Sequence, residues 1–68
     1  MSVYRVVDVI GTSETSWEDA AAEAIATASG SLRDIRIAEV AAQDVVIGDG
    51  GALTYRTRLQ LSFKYEAE

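Results

Sequence analysis

The residues of this chain that could do chemistry are its charged ones. Arg56 and Arg58 stand two apart in TYRTRLQ, and Asp8, Glu18, Asp34, Glu39, Asp44 and Asp49 are spread along the sequence. Two guanidinium groups on one side of a strand suit an anion, because each offers a planar fork of donors to carboxylate or phosphate oxygens. The carboxylates are hard oxygen ligands of the kind calcium takes, yet no D-x-D-x-D-G loop gathers them at EF-hand spacing. Histidine and cysteine are absent, which removes Ser-His-Asp and Cys-His nucleophiles, imidazole and thiolate metal sites, and disulfide staples. Gly11-Thr12-Ser13 lacks the spacing and the lysine of a phosphate-binding loop and reads as a strand-to-helix turn. With no general base, nucleophile or cofactor motif, a non-enzymatic protein is expected.

The chain that positions these groups is short. Its 68 residues make one domain, 1–68, near the lower size limit for a self-sufficient core. Eleven acidic against six basic residues give a net charge of -5, which repels nucleic acid and anionic lipid; neither is expected as a partner. The amino terminus shows no secretory pattern, since Arg5 and Asp8 interrupt its apolar run, and no stretch is long enough to span a bilayer. A cytoplasmic location is the expectation.

Periodicity assigns the elements. Residues 2–10, SVYRVVDVI, are rich in β-branched side chains and read as a strand ending at Gly11. Trp17, Ala20, Ala21, Ala24, Ile25 and Ala28 recur at three- and four-residue spacing, an amphipathic helix opened by Ser16 with Asp19 in the manner of a capping box and closed by Gly30. Residues 33–47 read as a second strand of imperfect alternation, with Glu39 and Gln43 on the parity of Ile35, Ile37 and Val45; a bulge, or a face apolar along only part of its length, is expected. GDGG, 48–51, is a hairpin turn whose glycines supply positive φ. From Leu53 to Glu66 the alternation is almost unbroken: Leu53, Tyr55, Thr57, Leu59, Leu61, Phe63 and Tyr65 on one face, and Thr54, Arg56, Arg58, Gln60, Ser62, Lys64 and Glu66 on the other. The fold class is therefore α+β, in the order β-α-β-β, with the last strand central in a three-stranded antiparallel sheet and one helix packed on it.

Such a chain is short of cover. A helix of about 14 residues is roughly 21 Å long, whereas strands of about 13 residues extend roughly 40 Å. Other copies of the chain are expected to complete the burial, symmetrically.

VYRVVDVIGTS, then SWEDAAAEAIATA, IAEV and TYRTRLQLSFK resemble the dodecins across nearly the whole chain. That family's pattern has a strand ending in GTS, an alanine-rich helix, a WAEV or WFEV segment and a YQ-led third strand. The resemblance implies a hollow homododecamer that binds small ligands. Flavins are the ligand of characterised members, with the WAEV aromatic stacked on the ring and the YQ glutamine at its edge. The corresponding positions are Ile37 and Arg56, and Gln43 and Val46 are taken with them as candidate pocket residues. Isoleucine offers no flat π face, and arginine no acceptor for a flavin's imide edge. The Asp-Ile-Arg stretch and the TSW helix start resemble the mycobacterial branch described as calcium dodecins. A calcium-binding shell is the leading expectation, with Asp44, Glu39 and Asp8 as candidate ligands, and flavin or another small anionic cofactor is the alternative. In a twelve-copy shell the net charge of -5 recurs in every subunit and draws cations. The plainer reading of Arg56 and Arg58 is cross-strand pairing with Asp44 or Glu39, and that of Trp17 is core or subunit interface.

Overall fold

The computed structural model describes residues 2–64; Tyr65 and Glu66, which the alternation assigns to the last strand, lie outside the described residues. The elements are β1 (Tyr4–Ser13), α1 (Trp17–Ser29), β2 (Ile35–Ile47), a 3-10 turn at Asp49–Gly51 and β3 (Leu53–Lys64). The strands form one antiparallel sheet in the order β1-β3-β2, with β3 central as the crossover requires. The hairpin glycines Gly50 and Gly51 have φ of 74° and 84°, the left-handed region that a side chain disfavours.

β1 does not stop at Gly11. It continues to Ser13, with Gly11 opposite Thr57 and Thr12 opposite Arg56. Gly11 is there because the helix crosses it: a β-carbon would overlap the Ala20 carbonyl oxygen and lie 2.9 Å from the Ala24 β-carbon. The missing side chain lets α1 sit on the sheet, and the residue is a contact point rather than a strand terminator.

Ala20, Ala24 and Ala28, one turn apart, are the buried stripe of α1. With Leu59 and Leu61 of β3 they form the core, bordered by Val7, Val9, Ile25, Leu32 and Ala38. The Ser16 hydroxyl accepts from the Asp19 N–H at 3.0 Å, half of the expected capping box. The Asp19 carboxylate does not reach back to Ser16; it accepts from the Ser13 hydroxyl at 2.8 Å. Ser13 Oγ in turn accepts from the backbone N–H of Thr15, so one serine organises the turn between β1 and α1.

The bulge expected in β2 takes the form of two register shifts, between Ile35 and Ile37 and between Val40 and Ala42. Each shift reverses the parity of the residues that follow. Ile37 and Glu39 therefore share a face with Ala42, Asp44 and Val46, opposite Ser62, Gln60, Arg58, Arg56 and Thr54. Among the described residues no helix packs against this outer face.

The chain is elongated, 53 × 20 × 15 Å, with a radius of gyration of 14.0 Å. A compact 68-residue domain would have a radius near 11 Å. Its accessible surface of 4998 Å² likewise exceeds the roughly 4,200 Å² expected for a compact monomer of this mass. No helix among the described residues is long and apolar enough to cross a membrane.

Candidate functional site

The outer face of the sheet carries most of the chemistry. β3 supplies Arg56, Arg58 and Gln60, β1 supplies Asp8 beside Gln60, and β2 supplies Asp44 beside Arg56 and Glu39 beside Gln60. Exposed apolar side chains, Tyr4, Val6, Ile10, Ile37 and Val46, stand among them on the same face.

Arg56 is clamped. Its Nε donates to Asp44 Oδ1 and its Nη2 to Asp44 Oδ2, both at 2.7 Å, the bidentate fork-on-fork geometry of strong charge-assisted pairs. The clamp holds the Asp44 carboxyl below its ordinary value of 3.8, through the Arg56 hydrogen bond first and the guanidinium charge in addition. The same hydrogen bond and the carboxylate charge raise Arg56. Because Asp44 is depressed in the folded state, its stabilising contribution is complete above the unfolded value and is lost as pH falls through the folded one. The difference in melting temperature between the native chain and Asp44→Asn is accordingly expected to hold from pH 7 down to about 5 and to shrink at pH 3. Thermal melts of the two at pH 7, 5 and 3 measure it, and a difference that grew toward pH 3 would contradict the clamp.

Arg58 is held far more loosely. Its nearest acid is Asp8, with Nη2 to Oδ2 at 4.0 Å, and both side chains are more than half exposed. Between these groups a small cavity of about 70 Å³ opens on the outer face, lined by Ile10, Ala42, Asp44, Arg56 and Arg58.

A second link joins this face to the helix. The Trp17 indole N–H donates to the Asp44 carbonyl at 3.0 Å, the Trp17 carbonyl accepts from the buried Thr57 hydroxyl at 2.9 Å, and the indole meets Tyr55 edge to face at 5.1 Å. Trp17 thus anchors the first turn of α1 to both β2 and β3.

The candidate pocket residues separate into two groups. Ile37, Val46 and Arg56 share the outer face. Gln43 is opposite Thr57, whose side chain is buried beneath the helix, so Gln43 belongs to the helix side and not with the other three. The second register shift is the cause. Val46 lies one diagonal from Arg56, but Ile37 is opposite Ser62, six positions along β3 and about 20 Å away. Within one chain Ile37 and Arg56 do not form a pocket.

The candidate metal ligands are likewise dispersed. Asp8 and Glu39 flank Gln60 from the two sides, with their α-carbons about 10 Å apart, while Asp44 is committed to Arg56. Among the described residues no three acidic side chains gather around a common point. Gln60, paired across the sheet with Asp8 on one side and Glu39 on the other, was not among the candidate residues; its parity with Arg56 and Arg58 was the signal available.

The sequence pattern of the dodecin family matches residues 3–66. The chain belongs to the dodecin family. This dodecin is 56% identical over 64 residues to the calcium dodecin of Mycobacterium tuberculosis, an alignment covering 94% of this chain and 90% of that one. The crystal structure of that protein, described as a calcium-chelating antigen with a novel calcium-binding site, is similar with a TM-score of 0.88 at 52% identity, covering 98% of this chain and 96% of the other. The dodecin of Thermus thermophilus is 36% identical over 64 residues, covering 94% of this chain and 93% of its own.

Proposed function

We propose that this dodecin is a non-enzymatic subunit of a hollow, cytoplasmic homododecamer that binds and sequesters calcium through oxygen ligands on the outer face of its sheet. The observation that carries the assembly is that face itself: Tyr4, Val6, Ile10, Ile37 and Val46 are 46–56% exposed on one side of a sheet that no helix covers. An open groove of about 560 Å³ between α1 and β1, lined by Val7, Val9, Ala24, Ala28 and Leu32 among others, adds a second uncovered apolar seam. Burial of such surfaces between copies supplies what one short core lacks.

The calcium reading rests on donor chemistry and on the relative described as calcium-chelating. Asp8, Glu39 and the Gln60 amide offer hard oxygens in one row across the sheet. One chain supplies too few for the six to eight that calcium takes, so the remainder come from a neighbouring copy or from water. The flavin reading is weaker on this face. Ile37 presents no ring to stack on, and the Arg56 fork at the equivalent of the family's glutamine is turned onto Asp44.

Calcium titrated to about one hundred times its dissociation constant stabilises a protein by about 2.7 kcal/mol, enough to raise the melting temperature of a domain of this size by about 10–20 °C. Chelator is expected to reverse the rise, and riboflavin fluorescence is expected to remain unquenched by micromolar protein. A melting temperature indifferent to calcium and chelator, with stoichiometric riboflavin quenching, would hand the site to the flavin.

A further inference from the structure

We propose that the outer-face cavity is a binding site for a small oxyanion, a carboxylate or a phosphate-type group, held by Arg58 and the free donors of Arg56 and coupled through Asp8 to the cation. The coupling half rests on the calcium reading above. Two of the five N–H groups of Arg56 are spent on Asp44, and the other three remain available at the wall of the cavity. Arg58 lines the same cavity and, among the described residues, has no side-chain acceptor at hydrogen-bonding distance; its nearest acid there, Asp8, stands 4.0 Å away. The roughly 70 Å³ is on the scale of one tetrahedral oxyanion; Ile10 and Ala42 give it apolar walls, and the one side-chain acceptor in its lining, the Asp44 carboxylate, already receives Arg56 at both oxygens.

The two guanidinium groups have different tasks. Arg56 is fixed by its fork and forms a rigid side of the site, whereas Arg58 is free to swing between Asp8 and the anion. With Asp8 and Asp44 both nearby, the patch has no excess positive charge in the empty state, so an anion alone binds measurably but more weakly than with the cation in place. A cation engaging Asp8, Gln60 and Glu39 changes this by drawing the Asp8 carboxylate away from Arg58. The released guanidinium then lacks a counterion at the mouth of the cavity, and an oxyanion supplies one. By linkage the anion must tighten the cation as much as the cation tightens the anion.

Calcium binding to the assembled protein, measured by calorimetry with and without about 5 mM sodium sulfate against sodium chloride of equal ionic strength, tests the proposal. Sulfate is expected to tighten calcium by about fivefold, within the ordinary range of coupling between sites, and Arg58→Gln is expected to abolish that effect. Arg58 is exposed, so the variant should fold, and native mass spectrometry checks its assembly. Calcium binding that is identical with and without sulfate overturns the inference and leaves the calcium reading standing. If the native protein binds no calcium in either salt, the calcium reading and the coupling fall together. The oxyanion site is then decided by sulfate alone: a melting temperature raised in the native protein but not in Arg58→Gln retains it, and no rise in either removes it.

Discussion

Gly11→Ala is expected to melt at least about 15 °C below the native protein and to lose most of its assembly. The added β-carbon would overlap the Ala20 carbonyl oxygen and crowd the carbonyl carbon and β-carbon of Ala20 and Ala24, both at 2.9 Å. Two of the three obstacles are helix backbone, which no rotamer change relieves, so α1 must lift off the sheet. Lifting it opens Leu59 and Leu61, the largest apolar side chains of the buried core, to water. Overpacking of this kind costs about 3 kcal/mol or more, against a total stability of about 3–10 kcal/mol for a domain of this size. Gly48→Ala is the control: its β-carbon would meet the Ala52 carbonyl oxygen at an ordinary 3.5 Å, and its melting temperature should stay within a few degrees of the native value. Circular dichroism melts of the two variants decide the matter, and equal melting temperatures would show that the helix does not rest on Gly11.

Ile37→Asp is expected to convert the proposed assembly into single chains of 7.3 kDa. Within one chain Ile37 is 56% exposed and packs against nothing in the core, so a carboxylate there should leave the fold intact, as surface substitutions usually do. In an assembly that buries this face, each copy would carry an unpaired charge out of water at a cost of several kcal/mol, repeated in every subunit. Val6→Asp, on β1 of the same face, is expected to act in the same way. Native mass spectrometry and circular dichroism, read together, separate dissociation from unfolding. An Ile37→Asp protein that stays fully assembled would remove this residue from any subunit interface and leave its apolar exposure without an explanation.

Much of the architecture could be read from the chain. The helix registered through its alanines because a four-residue repeat leaves only one face able to approach a sheet closely. β3 registered through an alternation that the structure preserves from Leu53 to Lys64, and its central place followed from a right-handed crossover in a sheet whose neighbours are all antiparallel. The pairing of Arg56 with Asp44 was legible as the plainer reading of two opposite charges on neighbouring strands. Arg58 was not: it faces Asp8 across β1 rather than Glu39 across β2. The extent of β1 was misjudged because glycine ends strands more often than it marks a close crossing, and no local signal distinguishes the two.

The elements, their order, the face of β3 that enters the core and the families of chemistry that the absence of histidine and cysteine forbids were all legible in the unfolded chain. Those properties reside in residue type and in spacing within single elements, which is all that periodicity reports. Which side chains share the outer face was settled by the folded sheet. The two register shifts in β2 reverse its parity, so Ile37, Glu39, Asp44 and Val46 come together while Gln43 is turned to the helix side. A bulge is a property of two strands paired through backbone hydrogen bonds, and one strand read alone does not say where its ladder slips.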